Sequence, residues 1–334
     1  MQALTKRQFW FLAVLLIITA VYTVELTRSS NEYVLRCVSY ARNLTEHIWP
    51  EEPCGCASCV AAPTNDTWFT ERFKPEVRPL LSRGNNALSG NIYKYWQGLQ
   101  YDKRRSNYTE VVNKLFQLIP GEDRYLDGGS DRCRVCSVVG NSGNLLGSHY
   151  GPLIDSADFV IRMNKAPIKG YERDVGTRTT HHILYPESAV DVSNDTNVVL
   201  FPFKTLDLEW LMSALTNGTI KRTRINVLAK LSVDKDKVMV LNPAFINYVH
   251  TSWLKGKGRY PSTGFLTLIL SLHICDEVNV YGFGANRKGI WHHYFEPVPK
   301  SLLSRHTGQH PGPNEYDLIL ELTKKKKIQL FTGF

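Results

Sequence analysis

The stretch CSVVGNSGNLLG, residues 136–147, determines how the rest of the chain is interpreted. An apolar, β-branched run ends at Gly140, and Asn141, Ser142 and Gly143 then lead into a helical pattern. A glycine-rich turn at the start of a helix presents free backbone N–H groups, which suit a phosphate or a nucleotide. The spacing is not G-x-G-x-x-G, so a dinucleotide is not implied. A tight strand-to-helix turn without a ligand is the other interpretation, and both stay open at this point.

Outward from this stretch, short β-branched runs alternate with helical patterns. Helices are predicted at Tyr108–Leu118, which Pro120 and Gly121 stop, and at Phe265–Ile274. Strands are predicted at Val135–Val139, Phe159–Met163, Val198–Phe203, Val238–Leu241, Val278–Tyr281 and Ile328–Phe331. This alternation predicts an α/β fold with a mostly parallel central sheet and helices on both faces. Ligands bind beyond the carboxyl ends of such strands, which directs attention to the residues from Gly140, Asn164 and Gly282 onward.

Two further segments are candidates for binding an anion. Asn164 ends a predicted strand in DFVIRMNKAP, residues 158–167, where an Asn is either a turn residue or a ligand contact. Ser262, Thr263 and Gly264 stand just ahead of an apolar helix in RYPSTGF, residues 259–265. They either cap that helix or hold an anion at its positive end.

Several histidines near the C-terminus raise a metal hypothesis. His292 and His293 lie in WHHYFE, residues 291–296, and His306 and His310 follow with the helical i,i+4 spacing of a ligand pair. The prolines at 311 and 313 make a continuing helix unfavourable, and no H-E-x-x-H arrangement is present. The sequence therefore disfavours a zinc site.

The letters Asp234-Lys235-Asp236 match the Asp-x-Asp pattern with which many sugar-nucleotide transferases hold a divalent ion. This triplet precedes a predicted strand instead of following one, and Lys237 flanks it, so it is interpreted as a solvated loop. A mechanism without a metal or another cofactor is the prediction, with histidines and backbone donors meeting the phosphate charge.

The N-terminus carries an uncharged run from Phe9 to Val24, preceded by Lys6 and Arg7. Its length is at the short end of the roughly 17–25 residues of a membrane span. The basic residues on its amino side predict a cytosolic tail (residues 1–8), a signal-anchor (9–25) and a lumenal remainder. Residues 26–52 are interpreted as a stem, and 53–334 as the globular part. A cleaved signal peptide is the alternative, disfavoured because no convincing cleavage site precedes Glu25.

Two observations support a lumenal location. Glycosylation acceptors of the N-x-[ST] type occur at Asn43, Asn65, Asn107, Asn194 and Asn217. Six of the seven cysteines, which are Cys54, Cys56, Cys59, Cys133, Cys136 and Cys275, fit three disulfides in any of fifteen pairings. A zinc site is disfavoured because Cys54 and Cys56 are too close for the usual spacing. Cys37 is left over, either free or linking two chains into a homodimer.

The formal net charge of the 334-residue chain is +9. The basic-aromatic interleaving of a nucleic-acid binder is missing, so nucleic acid is not an expected partner. A basic surface favours anionic substrates such as a sugar nucleotide. The run Lys324–Lys327 is interpreted as a solvated turn.

The chain resembles the animal sialyltransferases, which share a long, a short, a third and a very short motif in this order. The long motif corresponds to Cys136–Thr180, which contains GNSGN and VIRMNKAP and ends in DVGTRTT. The short motif corresponds to Pro261–Phe283, PSTGFLTLILSLHICDEVNVYGF. The third is HYFE, residues 293–296, and the very short one is His310 with Glu315.

The resemblance implies an architecture for residues 53–334. It is a single GT-A-like domain, the Rossmann-type variant of the sialyltransferases, with three disulfides that pair Cys54 with Cys59, Cys56 with Cys133 and Cys136 with Cys275. It also implies a single-pass type II protein of the Golgi membrane with a lumenal catalytic domain. Cleavage in the stem would release a soluble form.

The resemblance also implies site residues. Those that correspond to contacts with CMP or its phosphate are Asn141, Asn164, Tyr260, Gly264 and Gly284, and their neighbours Ser142, Ser262 and Thr263 are included in the substrate-binding set. Gln97, in YKYWQ at 93–97, corresponds to a contact with the acceptor galactose. Arg224 is a departure, because a nucleotide-contacting tyrosine is expected at this position, and it is left out of the site.

Within the family, PSTG, YGFG, HHILYPES and FKTLDLEW are most similar to the α2,3-sialyltransferases that act on Galβ1-3GalNAc of O-glycoproteins. Gangliosides with the same terminal disaccharide are secondary acceptors. The implied reaction transfers sialic acid from CMP-sialic acid to the galactose 3-hydroxyl with inversion, in one displacement, without a metal. His310 resembles the general base, His293 would meet the leaving phosphate, and Glu315 would support the local structure. The alternatives are a different linkage or acceptor, because the motifs describe the donor half, and a catalytically silent CMP-binding Golgi protein.

Overall fold

The computed structural model describes residues 6–25, 53–102, 106–297 and 310–333. The chain divides into two compact units, Met1–Glu52 and Pro53–Phe334. In the first unit, helix α1 (Lys6–Glu25) contains the segment predicted as the anchor, residues 9–25. Among the described residues, no helix, α1 included, combines the length and apolar character needed to cross a membrane. The predicted stem, with Cys37 and Asn43, lies outside the described residues.

The second unit contains one sheet of seven parallel strands, in the order β5-β4-β3-β2-β1-β6-β7. The strands are β1 (Val135–Val139), β2 (Phe159–Met163), β3 (His181–Leu184), β4 (Asn197–Leu200), β5 (Val238–Val240), β6 (Glu277–Tyr281) and β7 (Gln329–Phe331). The predictions of β1 and β2 are confirmed to the residue, and those of β4, β5, β6 and β7 are confirmed with shorter or shifted ends. The sequence did not predict β3.

The helices of this unit lie between and before the strands. They are α2 (Thr67–Thr70), α3 (Gly90–Gln97), α4 (Tyr108–Leu115), α5 (Gly151–Asp155), α6 (Glu172–Val175), α7 (Thr205–Ala214), α8 (Pro243–Tyr248), α9 (Thr263–Ile274) and α10 (Gly312–Lys324). Helix α4 begins where it was predicted and ends before residue 118. Helix α9 begins two residues before the predicted Phe265, because Ser262 caps it by accepting a hydrogen bond from the Phe265 N–H at 3.1 Å.

Both faces of the sheet are buried. Successive residues of a strand point to opposite faces, and in β1 Val138 and Val139 belong to two different apolar clusters. One cluster includes the apolar side of α9, and the other includes Ile154 of α5 and Val175 of α6. The predicted layout, a parallel sheet with helices on both faces, is therefore confirmed.

The described residues contain three disulfides, with the pairs Cys54–Cys59, Cys56–Cys133 and Cys136–Cys275 that the resemblance implied. The third ties β1 to the residue that follows α9, so it fixes this strand to the helix that packs on it.

The interpretation of Lys324–Lys327 as a solvated turn is wrong for Lys327. The ammonium of Lys327 is buried and donates to the carbonyl oxygens of Val60 and Ala62 at 2.9 and 3.2 Å. Lys325 pairs with Asp66 at 2.5 Å. Because the long side chain of Lys327 reaches carbonyl groups distant in sequence, the local pattern does not reveal its burial.

Candidate active site

The strand order changes direction between β1 and β6, which makes this position the topological switch point of the sheet. From β1 the chain builds β2 to β5 on one side, then returns to place β6 and β7 on the other. The crevice at the carboxyl ends of two such strands is where α/β sheets bind ligands. The turns after β1 and β6 touch here, because the Ser142 N–H donates to the Gly282 carbonyl at 2.9 Å. A Cβ on Gly140 would lie 2.3 Å from that carbonyl oxygen, so only glycine fits.

Side chains fasten the two turns together. The Ser142 hydroxyl donates to the Gly284 carbonyl at 2.7 Å, and the Asn144 amide donates to the Phe283 carbonyl, also at 2.7 Å. Residues Gly143–Leu145 form a single 3-10 turn, and the predicted helix does not continue, because Leu146 is extended and Gly147 has φ +76°. The glycine-rich turn is thus held rigidly by these hydrogen bonds. It presents backbone groups, but no long helix follows it.

The segment around His293 lies directly on this turn. The Gly143 N–H donates to the His292 carbonyl at 2.8 Å, and the Tyr294 N–H donates to the Asn141 carbonyl at 2.9 Å. His293 therefore sits opposite Ser142 in an antiparallel bridge. Its side chain is 50 % exposed, and Nδ1 lies 2.8 Å from a carboxylate oxygen of Glu296. The sequence predicted both His293 and Ser142 for one site, and the structure brings them together.

Two buried amide oxygens at the strand ends have no partner among the described residues, namely Oδ1 of Asn141 and Oδ1 of Asn164. The Asn141 amide nitrogen is occupied, since it donates to the Met163 carbonyl at 3.1 Å. Asn164 has φ +60°, and its carbonyl accepts from His182 Nε2 at 2.7 Å. Buried polar atoms are nearly always paired in native proteins, so these two acceptors suit the hydroxyl or amino donors of a ligand.

The N-terminus of α9 reaches the same edge of the sheet. At Gly264, a Cβ would lie 3.2 Å from the Phe283 ring, which follows β6, and 3.8 Å from the Met163 sulfur, which ends β2. Thr263 is the first residue of the helix and is buried. The unpaired N–H groups and the dipole of a helix this long favour an anion at its start.

Ser262 serves chiefly to hold this helix in place. Its hydroxyl accepts from the Phe265 N–H and donates to Glu315 Oε2 at 2.5 Å, while its own N–H donates to Glu315 Oε1 at 2.7 Å. Glu315 is 6 % exposed and lies in the first turn of α10. Burial raises its pKa to about 7, and the hydrogen bonds from Ser262 oppose that rise. Of the two interpretations of Ser262, its contacts support the cap.

His310 directly precedes α10, whose first turn is fixed on both sides. The Tyr316 ring covers Gly284, where a Cβ would lie 2.6 Å from it, and the φ of Gly284 is +88°. His310 Nδ1 lies 3.2 Å from the Tyr260 carbonyl oxygen, and the two rings meet edge to face at 4.8 Å. Because a carbonyl oxygen only accepts, Nδ1 carries the proton and the lone pair is on Nε2. Burial lowers the pKa of His310, although the bond to Tyr260 opposes this.

Gln97 and Tyr260 line two neighbouring cavities. Gln97, at the end of α3, faces a cavity of about 920 Å³ with Tyr93 and Tyr108, and it donates to the Tyr93 hydroxyl at 2.5 Å. Tyr260 faces a second cavity of about 530 Å³. The two cavities share three lining residues, which are Tyr101, Asp102 and Lys204. Gln97 and Tyr260 therefore line adjoining cavities, and Tyr260 contacts His310. Among the described residues, no contact joins Gln97 to Asn141 or Gly264.

The described residues contain no group of three or more His, Cys, Asp or Glu side chains that could hold a metal ion. Asp234 caps a 3-10 turn at Lys235–Lys237, where its carboxylate accepts from the Asp236 N–H at 3.0 Å. This turn precedes β5, so it lies at the edge of the sheet opposite the strand ends described above. His306 lies outside the described residues.

Sequence reasoning missed a buried charged group beside these cavities. Lys204 pairs with Asp207 at 2.7 Å and with Glu187 at 3.5 Å, and all three are nearly inaccessible to solvent. Part of this group could have been found in FKTLDLEW, residues 203–210, where Lys204 and Asp207 have the i,i+3 spacing of neighbours on one face of a helix. Glu187 comes from the distant HHILYPES, and only the fold brings it there.

The described N-glycosylation acceptors Asn65, Asn107, Asn194 and Asn217 are all exposed, which suits glycosylation. Asn107 also caps α4, since its side chain accepts from the Thr109 N–H at 3.0 Å.

The fold and this arrangement define a class: α/β proteins with a candidate ligand site at the switch point of a parallel sheet. Comparison with known proteins narrows the class: the profile of glycosyltransferase family 29 (sialyltransferase) matches residues 80–327. The chain belongs to this family.

Relatives and a solved structure agree with that assignment. The human CMP-N-acetylneuraminate-beta-galactosamide-alpha-2,3-sialyltransferase 1 is 47% identical over 303 residues, 90% of this chain and 88% of that protein. The pig protein of the same name is 49% identical over 286 residues, 85% of this chain and 83% of that protein. A crystal structure of a mammalian sialyltransferase in complex with Gal-beta-1-3GalNAc-ortho-nitrophenol matches with a TM-score of 0.78 and 48% identity, covering 84% of this chain and 100% of that chain.

Proposed function

We propose that this sialyltransferase moves sialic acid from CMP-sialic acid to the 3-hydroxyl of the galactose in Galβ1-3GalNAc, carried by O-glycoproteins or gangliosides. The names of the human and pig relatives give the α2,3 linkage and the donor, and the matching crystal structure holds this disaccharide. One observation carries the proposal: segments far apart in sequence meet at one edge of the sheet. They do so through the pairs Ser142–His293, Met163–Gly264, Ser262–Glu315 and Tyr260–His310.

The nucleotide half of the donor is assigned to the strand ends. The unpaired oxygens of Asn141 and Asn164 accept hydrogen bonds from the CMP part, and the N-terminus of α9 at Thr263 and Gly264 faces the phosphate. The carboxyl ends of β1, β2 and β6 surround this position, which suits a nucleotide at a switch point.

His310 acts as the general base. The acceptor hydroxyl attacks the anomeric carbon of sialic acid as the bond to the CMP phosphate breaks. The proton of the hydroxyl passes to Nε2 of His310, the phosphate oxygen keeps the bonding electrons, and the product is inverted. The lowered pKa of His310 keeps the ring neutral near neutral pH, which a base requires. A positioned general base contributes about 10²–10⁴-fold in rate.

His293 stabilises the leaving group. Negative charge grows on the phosphate as the bond breaks, and a donor fixed at that position lowers the barrier. The Glu296 carboxylate fixes the ring through Nδ1, which leaves Nε2 to donate to the phosphate when the imidazole is protonated. Loss of one such preorganised donor typically costs about 2.7–4 kcal/mol. In this scheme the histidines and the helix N-terminus meet the charge without a metal ion.

The acceptor lies against α3. Gln97 contacts the galactose, because it lines the larger cavity. The adjoining cavity is lined by Tyr260, which contacts His310. The aromatic rings of Tyr93 and Tyr108 in the wall of the larger cavity suit a sugar face.

Residence in the Golgi membrane as a type II protein is part of the proposal. Its support is the uncharged run Phe9–Val24 with Lys6 and Arg7 before it, together with three disulfides, which form in an oxidising compartment. Protease protection of residues 53–334 in intact vesicles, with resistance to alkaline extraction, tests it. Migration on gels with and without reductant tests whether Cys37 links two chains.

One reaction tests the proposed activity. The full-length protein in detergent is incubated with CMP-sialic acid and Galβ1-3GalNAc in EDTA, and the product is identified by mass spectrometry and an α2,3-specific sialidase. An α2,3-linked trisaccharide is the expected result, with a Galβ1-4 acceptor as the comparison. A product of another linkage would replace the proposal with the alternative transferase. Activity that returns only with manganese would refute metal independence, and no product on any galactoside, with CMP still bound, would favour the silent protein.

A further inference from the structure

A basic surface outside the proposed reaction is built from two segments without carboxylates. Residues 77–101 and 237–275 contain neither Asp nor Glu. The two segments meet where α3 packs against α8, which continues into a single π-helical turn at Val249–Trp253. No acidic side chain of either segment is therefore available to neutralise cations at this contact.

A third cavity, of about 540 Å³, opens beside α3. Lys94, His250 and Arg259 line it, and no carboxylate of the described residues does. Lys255 and Lys257 come shortly before Arg259, in the loop after the π-helical turn. We call the cavity and the exposed side chains of Lys94, Lys255, Lys257 and Arg259 the basic face. Within the described ranges, no carboxylate pairs with any of these four cations.

The loop that carries three of these cations is fixed against α3. The His250 ring stacks on Tyr95 at 5.0 Å, and its Nε2 lies 3.1 Å from the Gly258 carbonyl oxygen. The Arg259 guanidinium donates to the Gly98 carbonyl at 2.9 Å. Because the loop is held at both ends, it presents its cations from a fixed backbone, which reduces the entropy that is lost when a partner binds.

The basic face borders both parts of the proposed reaction. A Cβ on Gly258 would lie 2.6 Å from the ring of Pro311, which directly follows the base His310. On α3, Lys94 precedes Gln97 by three residues, and Lys94 lines the third cavity whereas Gln97 lines the larger one. An acceptor whose galactose contacts Gln97 therefore has the basic face within reach of the groups that extend beyond its glycan.

The position of the basic face indicates which substrate it meets. Among the described residues that line the third cavity, none belongs to the turns after β1, β2 or β6, where the nucleotide is assigned, and Tyr260 is not one of them. The partner is therefore the acceptor and not the donor. In an O-glycoprotein the group beyond the disaccharide is the polypeptide, whose anions are Asp and Glu. Several exposed cations that face several carboxylates steer association and add a small gain for each pair.

We infer that the basic face docks an acidic stretch of the acceptor polypeptide close to its glycosylated Ser or Thr. This inference rests on the proposed function. It adds a second criterion of acceptor choice, the charge of the peptide around the glycan, to the recognition of galactose.

The test compares acceptors that share the glycan and differ in peptide charge. The full-length enzyme in detergent is given free Galβ1-3GalNAc and two glycopeptides that carry it on one Thr, flanked by Glu in one and by Gln in the other. Wild-type kcat/KM should be roughly fivefold to tenfold higher for the Glu peptide than for the Gln peptide. The preference should nearly vanish at about 1 M salt, where exposed charges are screened over about 3 Å.

Two pairs of substitutions locate the preference. Lys255→Gln combined with Lys257→Gln should reduce it to about twofold or less, while kcat/KM for the free disaccharide stays unchanged. Lys114→Gln combined with Lys230→Gln removes two exposed charges from other parts of the surface and should leave the preference intact.

Equal wild-type kcat/KM for the two glycopeptides at low salt would overturn the inference. So would a preference that survives the loss of Lys255 and Lys257, or one that the control pair removes equally, because the net charge and not this face would then explain it. Lack of product from the free disaccharide would count against the proposed function itself. Equilibrium titration with the same two glycopeptides then makes the comparison without turnover, and equal affinities would overturn the inference there as well.

Discussion

Replacing Glu315 by Gln tests how the start of α10 is held against the start of α9 at the site. The Glu315 carboxylate is buried and accepts from both the N–H and the hydroxyl of Ser262. Burial raises its pKa from an ordinary 4.5 to about 7. A glutamine of the same shape still accepts from the Ser262 N–H but does not titrate, so the substitution isolates the proton equilibrium.

The sign of the effect follows from the two pKa values. Because the pKa of Glu315 is higher in the folded state, its contribution to stability is complete below pH 4.5 and is lost as the pH rises through 7. A shift of this size corresponds to about 3 kcal/mol in the free energy of unfolding. About 2 to 3 kcal/mol of this is lost between pH 5 and pH 8. The Gln variant should therefore gain stability relative to wild type, step by step, over this range.

Urea unfolding followed by tryptophan fluorescence, with the disulfides intact, measures the free energy of unfolding at pH 5, 6, 7 and 8. The free energy of the wild type is subtracted from that of Glu315→Gln at each pH, which cancels groups common to both. Glu110→Gln, an exposed carboxylate on α4, serves as the control and should give a flat difference. A flat difference for Glu315→Gln as well would refute the buried, proton-binding carboxylate and with it the account of how α10 is anchored.

Four further substitutions, at three positions, test the strand ends. His293→Ala should lower kcat by about 10²–10³ and weaken product inhibition by CMP; unchanged inhibition would contradict the phosphate role. Asn164→Ala should weaken CMP-sialic acid binding about tenfold in equilibrium titration, through loss of the amide. Asn164→Gly, which accommodates φ +60° without strain, should weaken it as much, whereas wild-type affinity in the Gly variant would show that only the backbone matters. Gly140→Ala should cost about 3 kcal/mol of stability in urea unfolding, because the new Cβ meets the Gly282 carbonyl, and a cost below about 1 kcal/mol would contradict that contact.

The central strands were predictable because their apolar runs are continuous, as expected for strands buried on both faces. Strand β3 was not, because HHIL begins with two histidines that look polar in sequence. Burial lowers the pKa of His181 to about 3 and that of His182 to about 4, so both are neutral side chains inside the sheet. The sequence shows that two histidines are present, but it does not show that burial in the fold keeps them neutral.

The individual turns of the candidate site were predictable, whereas the contacts between its residues were less so. The rule that ligands bind beyond strand ends identifies the turns at Gly140, Asn164 and Gly282 from the order of the apolar runs alone. The bond from Ser262 to Glu315 and the buried group of Lys204, Asp207 and Glu187 join residues distant in sequence, so no spacing reveals them.

The most direct test of the central claim is single-turnover sialyl transfer by His310→Ala, with CMP binding measured on the same preparation. His310→Asn, whose amide nitrogen replaces Nδ1 as the donor to the Tyr260 carbonyl but which lacks a base, accompanies it. The account predicts that both variants bind CMP within about twofold of wild type and transfer sialic acid at least about 10²-fold more slowly. Transfer within about tenfold of wild type, or a loss of CMP binding as large as the loss of rate, would contradict His310 as the base.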